Sequence, residues 1–274
     1  MPNWVNSNVA INSKPGHEQE LVKFKNSCFV NELNVLGQEE SRFDFNAFVP
    51  MPKGIELSQS TTDVTSWDDF KKQGDKKLKD VKMTPRLTGL VSALNLTDEN
   101  TVNDVIKALE DKHYPNVDLS SIEIHSKESR EDIVLNFKII EYQSRLHEEN
   151  LQNYGSATWY DWSIENWGTK WNASHTHIHD EGSNFLVFSF DTAWGMPTPI
   201  YEKMVEDYPN LEFSIEVTEE AAFFAYHITQ DDDGQLVYTE YTQEEMKQHY
   251  QFDEEEDDIT DESTNHDDTQ TTNS

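Results

Sequence analysis

The sequence predicts an α+β fold in which an antiparallel sheet has helices packed on one face. Residues 211–218 alternate strictly between apolar and polar side chains, as a half-buried strand does. Strand-like alternation and helix-like spacing also follow one another along the chain in the order strand, helix, strand, long interruption, strand, helix, strand. That order of elements is typical of a ferredoxin-like sandwich.

The first 52 residues supply three of these elements. Residues 4–11 alternate and predict a strand, and from Glu18 onward apolar side chains recur at helical spacing. Residues 43–49 alternate again and predict a second strand. Pro50 should end it, because proline cannot donate a hydrogen bond to a sheet.

Residues 53–153 have a different character, with mixed charge and only short apolar patches, and they predict a mostly helical insertion. Thr101 can cap a helix there, because Asp104 follows three residues later. A longer helix is predicted from about residue 130 to residue 153. The alternation of apolar residues at 133–139 would also suit a strand.

Residues 154–245 complete the predicted ferredoxin-like core, together with residues 1–52. Thr158 can cap a helix that ends before Gly168, since glycine is favoured just past a helix end. Residues 185–191 read as an apolar strand, and a further helix begins at Thr198. The turn residues 231–234 separate two strand-like segments and predict a hairpin.

Tryptophan is concentrated in one short segment. Four of the seven tryptophans lie in the run WYDWSIENWGTKW at 159–171. Such a cluster can stack on nucleobases or sugars, but large aromatic side chains more often anchor a core. We therefore predict a structural core built on five residues: Trp159, Trp162, Trp167, Trp171 and Trp194.

The charge of the chain limits its partners. The sequence has 53 acidic and 21 basic residues, with a formal net charge of −32. Such a chain repels nucleic acids and anionic membranes and attracts basic surfaces. The expected partner is a protein with a basic surface, without direct contact to nucleic acid or membrane. Residues 253–274 are acidic with almost no apolar side chains, which predicts a disordered tail.

The expected location is the cytoplasm. The single cysteine, Cys28, fits a reducing compartment. The first residues lack the basic start and apolar run of a secretory signal, and no stretch approaches the ~20 apolar residues of a membrane-spanning helix.

Three histidines alternate in the run HTHIH, at His175, His177 and His179. In an extended strand all three would share one face, where neighbouring imidazoles could bind a metal ion. The outer two would lie ~13 Å apart at ~3.3 Å per residue, too far for one ion. The alternative is a solvent-facing strand.

Motifs typical of catalysis are missing from the sequence. It has no phosphate-cradling G-x-x-x-x-G-K-[ST], no H-E-x-x-H and no G-x-S-x-G. The sequence therefore predicts no catalytic residue, no cofactor and a protein that is not an enzyme.

Four segments resemble a known family. They are PNWVNSNVAI near the start, FDFNAFVPMP at 43–52, WYDWSIENWGTKW at 159–171 and FDTAWGMPTPI at 190–200. In this order they resemble the YubB-type ferredoxin-like domain family of phage- and plasmid-encoded proteins, which is largely uncharacterised. The resemblance implies a ferredoxin-like fold and a mobile-element origin, and it implies no catalytic residues.

The expected function is that of a phage or mobile-element accessory protein that binds a host protein through its acidic surface. A nucleic-acid-mimicking inhibitor of a host defence nuclease is one form of this hypothesis. A metal-binding protein or metal-dependent enzyme using His175–His179 is one alternative. A ligand- or RNA-binding ferredoxin-like module is another.

Overall fold

The computed structural model describes residues 3–33, 37, 39–59, 61–114, 117–121, 132–242 and 244–246. The predicted acidic tail at 253–274 lies outside these residues. The strands are Trp4–Ser13 (β1), Phe29–Leu33 (β2), Glu39–Phe43 (β3), Ser174–Glu181 (β4), Phe185–Ala193 (β5), Leu211–Glu219 (β6), Ala225–Gln230 (β7) and Leu236–Glu240 (β8). The α-helices are Glu18–Cys28 (α1), Lys53–Glu56 (α2), Thr62–Lys71 (α3), Pro85–Ala93 (α4), Val102–Glu110 (α5), Asp132–Tyr154 (α6), Trp159–Trp167 (α7) and Thr198–Asp207 (α8).

The chain divides into two compact units, with residues 1–48 and 168–274 in unit 1 and residues 49–167 in unit 2. The sequence had placed the boundaries of the insertion at 53 and 153. The difference matters for α7, which was predicted to belong to the ferredoxin-like core and instead belongs to unit 2. Gly168, at φ 79°, takes the left-handed conformation that follows many helix ends, and unit 1 resumes at this residue.

Unit 1 is built on a six-stranded sheet with the order β4-β5-β1-β6-β7-β8. Each neighbouring pair is antiparallel. Helix α1 follows β1 and helix α8 follows β5, so the four strands β4-β5-β1-β6 have the ferredoxin-like arrangement. The predicted fold class, an α+β protein with an antiparallel sheet and helices on one face, is confirmed.

The core of unit 1 lies between the sheet and these two helices. Phe24 of α1 contacts Phe188 of β5 and Phe213 of β6, with ring centroids 6.4 and 6.0 Å apart. Tyr201 of α8 is fully buried and shares a 2.6 Å hydrogen bond with Ser7 of β1. Cys28 is buried in the same layer, where burial raises the pKa of its thiol to about 12, so the thiol is kept protonated.

The strand predicted at 43–49 is wrong beyond Phe43. Residues Phe45–Ala47 form a short 3-10 helix, because the carboxylate of Asp44 accepts a hydrogen bond from the backbone N–H of Asn46. The alternating apolar residues are nevertheless buried in part, because Phe43 and Phe45 are fully buried. Phe43 ends β3, which pairs with β2 in a separate hairpin.

Unit 2 is helical and has its own hydrophobic core. Trp67 of α3, 1 % exposed, stacks on Phe70 and meets Phe137 of α6 edge-on, at centroid distances of 5.4 and 5.3 Å. The long helix predicted near 130–153 is present as α6. The alternative of a strand at 133–139 is therefore excluded.

The predicted capping box at the start of α5 is confirmed. The Thr101 hydroxyl accepts a hydrogen bond from the N–H of Asp104, and the Asp104 carboxylate accepts one from the N–H of Thr101. Thr101→Ala should lower the free energy of unfolding of unit 2 by about 1 kcal/mol, because one N–H of the first turn loses its acceptor. Chemical denaturation measures this, with the exposed Thr88→Ala of α4 as the comparison. Equal stability of Thr101→Ala and the unchanged protein would contradict it.

No helix in the part of the chain that the structure describes is long and apolar enough to cross a bilayer.

Candidate functional site

The tryptophans of the 159–171 run divide between the two units. Trp162 and Trp167 are buried in unit 2, with ring centroids 5.4 Å apart, and Trp159 is half-buried. The Trp167 indole N–H donates to the carbonyl of Val49 at 2.9 Å. These residues pack within a small helical unit and do not belong to the ferredoxin-like core that the sequence had assigned to them.

The core prediction is wrong for the other two tryptophans. Trp171 is 38 % exposed and Trp194 is 56 % exposed, and both belong to unit 1. Trp171 lies in the irregular segment before β4, and Trp194 directly follows β5. Neither residue has a position inside a strand or helix that would bring its ring into the layer between sheet and helices.

These two residues are part of a larger aromatic group at one end of the sheet. At this end β1 begins while β5 and β6 end, because Trp4 pairs with Ala193 and Val5 pairs with Glu219. The Trp194 N–H donates to the carbonyl of Asn3 at 2.9 Å. We call this group the aromatic end. Its members are Trp4, Trp171, Trp194 and Phe223.

Direct contacts connect part of the aromatic end. The rings of Trp4 and Trp171 have centroids 6.2 Å apart, and the ring of His175 meets Trp4 edge-on at 5.3 Å. The Lys170 ammonium lies 4.5 Å from the centroid of Trp171, in cation–π geometry. Phe223, 75 % exposed, lies in the turn after β6. The group therefore presents aromatic faces and one cation to solvent.

The backbone of the aromatic end is unusual as well. In the described part of unit 1, the non-glycine residues with left-handed φ are His175 at 49°, Trp194 at 75° and Ala222 at 58°. All three lie at this end of the sheet. Each such conformation costs on the order of 1–3 kcal/mol and persists only when surrounding structure enforces it. Such residues often occur at binding sites, and here two of them carry exposed aromatic or imidazole rings.

The three histidines lie on β4, the edge strand of the sheet, and all are exposed. His175 bonds to Asp191, with Nδ1 and Oδ2 2.9 Å apart, and His179 bonds to Ser189, with Nε2 and Oγ 2.8 Å apart. The pairing of β4 with β5 is irregular after Ser174 and after Ile178. The imidazoles of His175 and His179 therefore bond to different partners along the strand.

No group of three or more His, Cys, Asp or Glu side chains is placed to hold a metal ion within the residues described by the structure. The predicted ligand set His175, His177 and His179 does not come together. His177 and His179 do lie close, with ring centroids 4.7 Å apart. Two imidazoles without a third donor fall short of the ligand number of a typical zinc site.

A second feature of unit 1 is a groove between α8 and the β7–β8 hairpin, with a volume of about 640 Å³. We call it the acidic groove, because four of its lining residues are acidic: Glu202, Glu206, Asp232 and Asp233. Lys14 also lines it, and its ammonium donates to the carbonyl of Pro209 at 3.0 Å. The groove therefore carries an excess of negative charge.

Most of this charge is not neutralised locally. Glu206 pairs with Lys203 at 2.7 Å, whereas Glu202, Asp232 and Asp233 form no ion pair with any residue that the structure describes. Tyr238 lines the groove, and burial together with the charge of Glu202 raises the pKa of its phenol to about 12. Its hydroxyl is buried without a hydrogen-bond partner among the described residues. The groove is thus a site of negative potential beside apolar surface.

Part of the groove could be predicted from the sequence, but the way in which its elements come together could not. Asp231, Asp232 and Asp233 were recognised as turn residues, and α8 was predicted from Thr198 onward. Only the fold places the hairpin beside α8. The aromatic end was missed, because its members are separated by up to 219 positions in the chain and only the strand order brings them together.

Comparison with known proteins gives one family model and one solved structure that are similar to this chain. Residues 166–261 match a family model described as "Ferredoxin-like domain in Api92-like protein". A crystal structure of protein api92 from Yersinia pseudotuberculosis aligns with 88 % of this chain and 99 % of its own, at a TM-score of 0.40 and 9 % identity. No curated protein matches the chain. The family model supports a ferredoxin-like domain over residues 166–261. Neither match names the YubB-type family or a phage.

Proposed function

We propose that this protein is a non-enzymatic accessory protein of a mobile genetic element, and that it binds a basic host protein through the acidic groove. The observation that carries this proposal is the set of carboxylates in the groove that lack ion-pair partners. A partner that supplies lysine or arginine side chains would neutralise them on binding. The mobile-element origin is supported by the resemblance of the sequence motifs alone.

The charge of the whole chain favours such an encounter. At a net charge of −32, long-range attraction accelerates association with a basic surface and repels nucleic acids. Duplex DNA carries one negative charge per ~1.7 Å of its axis, so a protein that binds DNA presents a basic cleft. Carboxylates spread along a groove produce a negative electrostatic field similar to that of DNA, and such a basic cleft would attract them. An inhibitor that occupies the DNA-binding cleft of a defence nuclease is the form of the proposal that fits this charge.

The proposal is tested with an oligo-arginine peptide as the basic probe and calorimetry as the measurement. The double variant Glu202→Lys with Asp232→Lys should weaken binding about tenfold or more, because two attractive charges in the groove become repulsive. Binding by the unchanged protein should weaken steeply as salt is raised, since screening removes attraction between exposed charges.

A matched control separates the groove from the net charge. Glu148→Lys with Glu149→Lys changes the total charge by the same amount at exposed positions of α6 in unit 2. We expect this control to alter affinity less than twofold. Equal weakening by both double variants, or binding that does not respond to salt, would contradict a role for the groove.

The inhibitor form of the proposal has its own assay. With a host restriction endonuclease, inhibition should be competitive with the DNA substrate and should be lost in the Glu202→Lys, Asp232→Lys variant. Inhibition that is noncompetitive with DNA would argue against mimicry while leaving binding to the groove in place.

A further inference from the structure

We infer that the aromatic end is a second binding site of unit 1, and that it takes an arginine side chain presented by a protein partner. This inference rests on the proposed function in one respect only, the basic character of the partner. The site itself lies at the end of the sheet where β1 begins, whereas the acidic groove lies between α8 and the β7–β8 hairpin.

The first argument is exposure. Folded proteins seldom gather several large aromatic side chains at one place on the surface without using them. Here Phe223 is 75 % exposed, Trp194 56 % and Trp171 38 %. The pairing of β1 with β5 and β6 brings the backbones of Trp194 and Phe223 to the same sheet end, where the ring of Trp171 contacts Trp4. Tryptophan is among the residues that contribute most binding energy in protein interfaces.

The second argument is the backbone. The left-handed conformations of His175, Trp194 and Ala222 cost free energy in the folded protein. A hydrogen bond from the Phe223 N–H to the buried carboxylate of Glu219 helps to hold the turn that contains Ala222. The fold thus fixes an unfavourable local geometry at the positions that carry or adjoin the exposed rings. A backbone that is already held in place loses little entropy when a ligand binds.

The third argument identifies the ligand as a cation. The ammonium of Lys170 already lies over the face of Trp171 at 4.5 Å, which shows that a cation can be accommodated against this ring. Carboxylates border the site, since Asp191 bonds to His175 and the exposed Glu220 donates its N–H to the carbonyl of Trp4. A planar guanidinium can stack on an indole while bonding to a carboxylate, which an ammonium does less well.

The same charges disfavour a nucleic acid. Base stacking on exposed aromatic residues usually occurs beside a basic groove that follows the phosphate backbone. At the aromatic end Lys170 is accompanied by Asp191, Glu219 and Glu220, and the chain as a whole is strongly acidic. An arginine-bearing segment agrees with this electrostatic environment, whereas single-stranded RNA does not.

The test uses a blocked peptide with a single arginine between glycines, and the same peptide with citrulline in place of arginine. Citrulline has nearly the shape of arginine without its charge. The indole N–H resonances of Trp171 and Trp194, assigned from Trp→Phe variants of the full chain, should shift with the arginine peptide. The citrulline peptide should bind about tenfold more weakly. Equal binding of the two peptides would overturn recognition of a cation.

Variants locate the site. Trp194→Ala with Phe223→Ala should weaken binding of the arginine peptide about tenfold, because two stacking faces are lost. The matched control is Val22→Ala with Leu33→Ala, which removes exposed apolar side chains elsewhere in unit 1. Circular dichroism of each variant establishes that it is folded. An aromatic variant that is folded and binds like the control would overturn the inference.

Two further outcomes separate this inference from the proposed function. The groove variant Glu202→Lys with Asp232→Lys should leave the indole shifts with the single-arginine peptide in place. If the groove variant abolishes the indole shifts, the aromatic end is not an independent site. The inference then fails, while the proposed binding to the acidic groove is unaffected. If an oligo-uridine RNA shifts the same resonances at similar concentration, the site is one for single-stranded RNA and the arginine assignment is overturned.

Discussion

Replacing Phe43 with alanine is expected to lower the free energy of unfolding of unit 1 by about 4 kcal/mol. Phe43 is fully buried at the end of β3, and its ring contacts several aromatic neighbours. Ring centroids lie within 6.2 Å for Phe24, Phe29, Phe45, Phe48, Phe188 and Phe190. The alanine variant loses the buried ring, leaves a cavity and removes these aromatic pairs.

The measurement is chemical denaturation followed by near-ultraviolet circular dichroism, which reports on packed aromatic rings. Phe223→Ala is the matched control, because it deletes the same side chain at a position that is 75 % exposed. We expect the control to change stability by less than about 0.5 kcal/mol. A Phe43→Ala protein as stable as the Phe223→Ala protein would show that the aromatic layer beneath the sheet does not stabilise unit 1.

Phe43 also shows where prediction from the sequence stops. The alternation at 43–49 correctly marks Phe43 and Phe45 as buried, but it does not distinguish a strand from a turn that buries the same residues. Here the Asp44 side chain decides the outcome by capping the 3-10 helix Phe45–Ala47 and accepting a hydrogen bond from the Asn172 amide. The second of these contacts spans 128 positions in the chain, and no local pattern could reveal it.

Elements with a strong local signal were predicted well. The strict alternation of β6 and the capping box of α5 need no tertiary information, whereas the apolar spacing of α6 also suited a strand at 133–139. The tryptophan run is the opposite case. Its density correctly indicates buried indoles at Trp162 and Trp167, but the chain passes from unit 2 to unit 1 at Gly168. Composition cannot show such a boundary, so Trp171 was assigned to a core from which the fold excludes it.

The two candidate sites depend on topology in the same way. The acidic groove needs α8 beside the β7–β8 hairpin, and the aromatic end needs β1 between β5 and β6. The ferredoxin-like fold was predicted from the order of the elements along the chain, but the pairing of β1 with β5 was not part of that prediction. The left-handed backbone of Trp194 and the 56 % exposure of its side chain have no signal in the local sequence pattern.

In unit 2 the largest expected effect comes from a buried carboxylate on α6. Glu141 is 8 % exposed and accepts a hydrogen bond from the Trp67 indole N–H at 2.6 Å. It also lies 3.3 Å from the ammonium of Lys71 and 2.8 Å from the guanidinium of Arg145. One carboxylate therefore satisfies the indole in the core and balances two cations beside it.

Glu141→Leu should lower the free energy of unfolding of unit 2 by about 3 kcal/mol. The substitution leaves the buried Trp67 N–H without an acceptor and leaves Lys71, whose side chain is 19 % exposed, with Asp68 as its remaining carboxylate partner. Leucine and glutamate have similar helix propensities, so the change in α6 itself contributes little. Glu141→Gln keeps an acceptor for the indole and should recover about 1 kcal/mol of the loss.

Urea denaturation of the otherwise unchanged protein, followed by far-ultraviolet circular dichroism, to which the helices of unit 2 contribute, measures this effect. The exposed Glu148→Leu on the same helix is the matched control and should change stability by less than about 0.5 kcal/mol. If Glu141→Leu is as stable as this control, replacement of the ionic network by apolar packing costs nothing, as happens when a buried ion pair gives way to well-packed hydrophobic residues. In the predicted outcome Glu141 is required because its removal leaves the Trp67 N–H without an acceptor and takes away one of the two carboxylates that pair with Lys71.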